Sequence, residues 1–117
     1  MNFLECTVEG NLARVNGASI MLDAETAAKG RKAEGKLELG IRPMYLEVHS
    51  EAVDGMVQAR VRVIEDLGSY KIVTLTLAGK TLRATLPADK PIPETEVWLA
   101  FPPQRTRLFA DGWLIGS

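Results

Sequence analysis

Alternation of apolar and polar side chains over residues 57–86 constrains this chain more than any other feature. Val57, Ala59, Val61 and Val63 fall on one side of an extended backbone, and Gln58, Arg60 and Arg62 on the other. Val73, Leu75 and Leu77 alternate with Thr74 and Thr76, and Leu82, Ala84 and Leu86 alternate with Thr81, Arg83 and Thr85. A period of two is the spacing of a strand, so these runs predict half-buried antiparallel strands with one solvated face. Ala78-Gly79-Lys80, between the second and third runs, reads as a hairpin turn. A further strand is expected at 97–101, ending where Pro102 and Pro103 remove two successive backbone donors.

The N-terminal part reads similarly. Residues 3–9 are rich in apolar and β-branched side chains, and Gly10-Asn11 breaks them. Two short runs, 12–15 and 18–22, flank Asn16-Gly17, a favoured tight-turn pair. Residues 37–42 form the next expected strand, which stops before Pro43; a proline pushes the residue before it toward extended geometry, which suits Arg42 at the strand end. Residues 23–36 carry four alanines and a candidate cap, Asp23, but few large apolar residues. Gly30 and Gly35 interrupt them, so a loop with at most a short helical turn is expected there. Pro91 and Pro93 make 89–94 a rigid connector between strands. Many short strands with glycine and proline punctuation imply an all-β sandwich or barrel. At 117 residues the whole chain, 1–117, is expected to form one domain with one core.

Charge and cysteine usage narrow the function. Fourteen Lys and Arg oppose fifteen Asp and Glu, a net charge of −1, whereas nucleic-acid binders carry a basic footprint. Arg60, Arg62, Arg83 and Lys71 would form a basic stripe if they shared a sheet face. Nucleic-acid barrels also interleave aromatics for base stacking, and aromatics are only 6% here, so a solvated outer face is expected and no nucleic-acid partner. Cys6, the only cysteine, excludes an intrachain disulfide and suits a reducing compartment; its strand position reads as a small buried hydrophobe. No apolar run approaches the roughly 20 residues that cross a bilayer, and the N-terminus lacks a secretory pattern. A cytoplasmic location is the simplest expectation.

Catalytic constellations are scarce. With one histidine, His49, and one cysteine, no zinc site of the usual Cys/His spacing can be assembled. His49 reads as a surface residue at a strand exit. Gly79-Lys80-Thr81 imitates the end of a phosphate-binding loop, but the earlier glycine is absent and the flanks alternate as a hairpin. Glu65 and Asp66 point to opposite faces of a strand, which suits a solvated strand end better than an ion site. Trp98 is out of phase with Val97, Leu99 and Phe101, and is expected to face outward under another element or a second subunit. Trp113, beside the turn signal Asp111-Gly112, is expected to seal the barrel end.

Three phrases in fixed order carry a family resemblance: Leu39-Gly40-Ile41-Arg42-Pro43, then Val63-Ile64-Glu65-Asp66-Leu67-Gly68, then 101–109 with Pro102-Pro103, Arg105 and Leu108-Phe109. With the opening Met1-Asn2-Phe3-Leu4, they resemble the C-terminal regulatory domain of maltose-importer-type ABC-transporter ATPases, a TOBE domain. The resemblance implies an OB-fold-like antiparallel β-barrel. It implies a regulatory and dimerisation module without catalysis of its own, in the ATP-binding subunit of a carbohydrate or polyol importer. ATP and Mg would belong to a nucleotide-binding domain outside this chain, which is then expected to be a fragment. Implied partners are that domain, a second copy of the subunit, and transmembrane permease subunits that hold the assembly at the inner membrane face. Candidate contact residues are Gly40, Arg42, Pro43, Gly68, Trp98, Pro102, Pro103, Leu108 and Phe109; the alternative reading makes several of them turn and core residues. Met44-Tyr45, Gln104 and Arg107 depart from the maltose pattern, and Tyr45-Leu46, residues 70–73 and residues 110–113 look closer to members serving glycerol, glycerol phosphate or other polyols. The alternative function is a barrel that binds a small oxyanion or a sugar.

Overall fold

The computed structural model describes residues 1–116. In chain order the elements are β1 (Asn2–Glu5), β2 (Thr7–Glu9), β3 (Leu12–Val15), β4 (Ala18–Met21), α1 (Ala24–Lys32), β5 (Leu37–Ile41), β6 (Glu47–His49), β7 (Val57–Asp66), β8 (Tyr70–Leu77), β9 (Lys80–Pro87), β10 (Glu96–Ala100), a 3-10 turn (Pro103–Arg105), β11 (Arg107–Ala110) and β12 (Trp113–Gly116). They form three antiparallel sheets, ordered β1-β5-β11-β12, β6-β10-β7-β8-β9 and β2-β3-β4. The sheets curl as a half-barrel round one apolar cluster, to which Leu4, Ile20, Leu39, Leu75, Leu82, Leu99 and Leu108 all contribute. The all-β, OB-like architecture expected from the sequence is the one observed.

Turn chemistry sets the hairpins. Asn16-Gly17, Ala78-Gly79 and Asp111-Gly112 each place two consecutive residues at positive φ between paired strands. Such two-residue turns match the right-handed twist of the flanking strands. The Asn16 side chain also donates to Ala78 O at 3.1 Å, tying two of these turns together.

The seam beside β9 is not a strand ladder. Among the described residues no strand pairs with its second edge. Asn2 instead uses its side-chain amide on both backbone groups of Arg83, and Thr85 N donates to Pro43 O at 3.0 Å. Arg83 and the Thr85 amide on this edge are thus paired by one side chain and one carbonyl.

Four expectations are corrected. Residues Ala24–Lys32 form a true helix, with Thr26 N donating to Asp23 Oδ1 at 2.8 Å. Gly30 lies inside it rather than breaking it, because the glycine lets the helix sit against Leu108 and Val8, where a Cβ would come within 2.6 and 2.9 Å of their methyls. Gly35, at φ +95°, does follow the helix end. The strict alternation of β7 fails at a bulge: Val61 pairs with Leu75 but Val63 pairs with Thr74, leaving Arg62 as the extra residue. Val63 is therefore 50% exposed, and Ile64 turns toward the core. Lys71 shares the inward parity of Val73 and Leu75 and donates from Nζ to Lys90 O at 3.0 Å, so it leaves the basic stripe. Trp113 is 78% exposed and seals nothing.

Candidate functional site

The sheet β1-β5-β11-β12 has one face in the core and one on the surface. Leu4, Leu39 and Leu108 are in register and face inward. The period-two rule then puts Phe3, Gly40 and Arg107 in one outward row, and Glu5, Glu38, Phe109 and Leu114 in the next. The first and third sequence phrases are therefore neighbours, because β5 carries Gly40 and β11 carries Phe109.

Gly40 has a steric reason to be glycine. A Cβ there would lie 2.7 Å from Phe109 Cε1 and 3.1 Å from Met1 Sδ, so the ring of Phe109 lies across the bare backbone. Phe3 meets that ring edge to face, with centroids 5.3 Å apart and planes at 74°. Met1, Phe3 and Leu114 remain half exposed, at 52, 50 and 55%. Grouped apolar surface of this kind makes the face a candidate interaction site.

Charges flank the patch. Glu5 and Glu38 stand directly opposite across the β1–β5 ladder, and among the described residues neither is in an ion pair. Like charges placed so are destabilising unless something offsets them. Their field also reaches Cys6, whose thiol is pushed up from 9.0 to about 11 by burial first, then by Glu38 and Glu5, against a backbone hydrogen bond at Leu39. Arg107 lies in the other row, donating from Nη1 to Gln104 O at 2.8 Å.

A second link joins the third phrase to the segment just after the first. The Arg105 guanidinium sits 4.3 Å from the centroid of the Tyr45 ring. Pro102 O accepts from Arg105 N at 2.9 Å and from the buried Thr106 hydroxyl at 2.9 Å, which fixes the 3-10 turn that begins at Pro103. Arg42 is exposed just past the end of β5, and Pro43 follows it as the acceptor for Thr85.

The other candidates lie elsewhere. Leu108 is 0% exposed, a core residue with no surface to offer. Gly68, at φ +90°, is exposed at the β7–β8 turn, where its N–H donates to Asp66 Oδ1 at 2.9 Å. Trp98 is half-buried on β10, in register with Gln58 of β7 and His49 of β6. His49 is partly exposed, with Nε2 3.1 Å from Glu47 Oε1. Among the described residues no cluster of three metal-ligating side chains occurs. Sequence reasoning placed Phe3 only within the opening phrase of the resemblance and did not single out Leu114, Glu5 or Glu38. Phase was the available signal: Phe3 and Phe109 are each out of step with the buried Leu4 and Leu108.

A curled, OB-like half-barrel with an apolar, charge-flanked sheet face defines a small β-module. The chain belongs to the TOBE domain family, which it matches over residues 39–109. It is similar to the sulfoquinovosyl glycerol transport ATP-binding protein SmoE of Agrobacterium fabrum, 31% identical over 93% of this chain and 31% of that protein. It is also similar to the molybdate/tungstate import ATP-binding protein WtpC of Pyrococcus horikoshii, 34% identical over 71% of this chain and 23% of that protein. The chain thus spans less than a third of the length of these curated relatives, and it resembles the TOBE domain of ABC transporter ATPases, a non-catalytic part of them. In fold it is similar to the cytoplasmic molybdate-binding protein ModG in a molybdate-bound crystal form, with TM-score 0.70, 13% identity, and coverage of 93% of this chain and 95% of that one.

Proposed function

We propose that this chain is the regulatory and dimerisation domain of the ATP-binding subunit of a carbohydrate or polyol ABC importer. In this reading the rest of the subunit binds ATP and Mg, and the permease holds the assembly at the cytoplasmic face of the membrane. The domain joins two subunits through the outer face of β1-β5-β11-β12 and raises the effective concentration of the two motor domains for each other. A regulator acts by favouring one arrangement of the joined subunits. The sulfoquinovosyl glycerol relative supports a sugar- or glycerol-containing cargo.

The observation that carries the reading is the Met1, Phe3, Phe109 and Leu114 surface, with carboxylates in one row and Arg107 in the other. A two-fold contact is isologous: the same patch meets itself, so Glu38 of one copy can face Arg107 of its mate. Gly40 and Phe109 shape this surface, and Arg42 borders it. Leu108 supports it only from the core.

Sedimentation equilibrium tests the reading. The chain is expected to form a dimer whose affinity falls with salt, and Phe3→Ser is expected to weaken it at least about tenfold, since buried aromatic anchors dominate such contacts. Glu38→Arg alone is expected to weaken association, and Glu38→Arg with Arg107→Glu to restore it. Unchanged association in Phe3→Ser and Leu114→Ser would defeat the proposal. A second reading, oxyanion binding, is favoured by the molybdate/tungstate relative; calorimetric titration with molybdate separates the two, because saturable binding that survives Phe3→Ser belongs only to the second.

A further inference from the structure

A second surface feature involves different strands. A groove of about 460 Å³ lies between β4, β6 and the segment after β10, walled by Met21, Met56, Phe101, Pro102 and Pro103. Its only charged lining residues are Glu47 and Asp54, both acidic; no lysine, arginine or histidine lines it. Met21 is 52% exposed, and Val53, beside Asp54 in sequence, is also largely exposed. Asp54 has no hydrogen-bond or ion-pair partner among the described side chains, whereas Glu47 has His49.

Two strand edges bound this groove. β4 is last in the order β2-β3-β4, and β6 is first in the order β6-β10-β7-β8-β9. Among the described residues no strand occupies the second edge of either. β4 reads Ala18-Ser19-Ile20-Met21, without the lysine, proline or bulge that usually blunts an edge. An edge left open beside an apolar trough suits strand addition, in which backbone hydrogen bonds supply affinity and alternate side chains enter pockets.

We propose that the groove binds an extended peptide segment of a partner protein, with a large apolar side chain as anchor and Lys or Arg on either side of it. The peptide lies along β4, seats its anchor between Met21, Met56 and Phe101, and sets its cations against Asp54 and Glu47. The charged residues of the trough are all acids, which selects basic flanks, and the open edge selects an extended backbone. This inference is independent of the self-association through Phe3 and Phe109.

The test uses methyl-labelled methionines in the intact chain and synthetic decapeptides. The probe has a central Leu-Val-Phe-Val core with three arginines on each side. It is expected to shift the Met21 and Met56 methyl resonances in a saturable way, with affinity falling as salt rises. Asp54→Asn with Glu47→Gln is expected to weaken it about tenfold. A peptide with glutamates in place of the arginines is expected to leave both methyls unmoved. A probe N-methylated at alternate residues, unable to pair with β4, is expected to bind at least about tenfold more weakly. Met21→Ser, at an exposed position, is expected to keep the fold by circular dichroism and lose the binding. Equal binding of the acidic peptide, equal binding of the N-methylated peptide, or no methyl shift with the arginine probe would each overturn the proposal. So would methyl shifts on simple dilution of the chain, which would make a second copy the occupant. Phe3→Ser is expected to leave the peptide titration unchanged, so failure of either proposal is separable from failure of the other.

Discussion

Asn2 and Arg83 form a strand pair made by one side chain. Arg83 N donates to Asn2 Oδ1 at 2.9 Å, and Asn2 Nδ2 donates to Arg83 O at 2.7 Å. The carboxamide thus presents the donor and acceptor that a neighbouring strand would offer to β9. It does so from the first position of β1, coupling the sheet β1-β5-β11-β12 to the five-stranded one.

Asn2→Ala removes both bonds, and Asn2→Asp keeps the acceptor but sets a carboxylate oxygen against the Arg83 carbonyl. A hydrogen bond of this kind contributes about 1 kcal/mol net, so Asn2→Ala is expected to cost about 1 to 2 kcal/mol in urea denaturation. Asn2→Asp is expected to cost at least as much, and hydrogen exchange at the Arg83 amide should accelerate most in Asn2→Ala. An unchanged midpoint in both variants would mean that the seam is held by other contacts.

Gly40 and Phe109 make a sharper test, because they oppose each other sterically. Gly40→Ala drives a methyl toward Phe109 Cε1, and overpacking costs about 1 to 3 kcal/mol in a closed core. The ring is only half-buried and Met1 is 52% exposed, so both have room to give and the lower end, about 1 kcal/mol, is expected. In a Phe109→Ala background the same methyl meets only Met1 Sδ, at 3.1 Å, and most of its cost should vanish. A double-mutant cycle by chemical denaturation is expected to give a coupling of about 1 kcal/mol. Additive costs would show that the ring does not hold Gly40 as glycine.

Gly30→Ala sets two effects against each other. Alanine is a better helix former by about 1 kcal/mol. Its methyl, however, would meet Leu108 Cδ2 at 2.6 Å and Val8 Cγ2 at 2.9 Å. Leu108 is fully enclosed and cannot swing away, so overpacking of about 1 to 3 kcal/mol wins. Net destabilisation of roughly 1 kcal/mol is expected by thermal melting. A stabilised Gly30→Ala would mean that α1 can lift from β2 and β11 without cost.

These positions also show what one sequence can and cannot reveal. Strands β7 to β10 were legible because a half-buried sheet forces a period of two, and the turn pairs Asn16-Gly17 and Ala78-Gly79 marked hairpins by chain chemistry alone. The bulge at Arg62 was not legible: nothing local distinguishes an extra residue from the next step of the alternation, and register belongs to the pairing. Gly30 was misread as a helix breaker because its use is tertiary, an approach to residues far along the chain. For the same reason the phrases around Gly40 and Phe109, and the opening phrase with Phe3, were visible as motifs, but the surface they share appeared only once β1, β5 and β11 were aligned. Glu5 and Glu38 look like ordinary surface acids until the ladder sets them face to face.

The last prediction concerns Cys6, which those two acids help to hold protonated. Cys6 is 7% exposed, and its thiol is shifted from 9.0 to about 11, chiefly by burial. At pH 8 about one molecule in a thousand then carries the thiolate, so native alkylation by iodoacetamide should be slow and should speed up on unfolding. The sign of the pH effect follows from the direction of the shift. An acid whose folded pKa is raised favours the fold while protonated. Its contribution is complete below pH 9.0 and is lost as the pH climbs from 9.0 toward 11, by about 2 to 3 kcal/mol in total. Urea denaturation of the parent chain between pH 8 and 11 is expected to show that decline, and Cys6→Ala to flatten it. Glu38→Gln removes the larger of the two charge effects, so it should raise the native alkylation rate and shorten the window of lost stability. If Glu38→Gln leaves the alkylation rate at its parent value, the carboxylate pair does not act on Cys6.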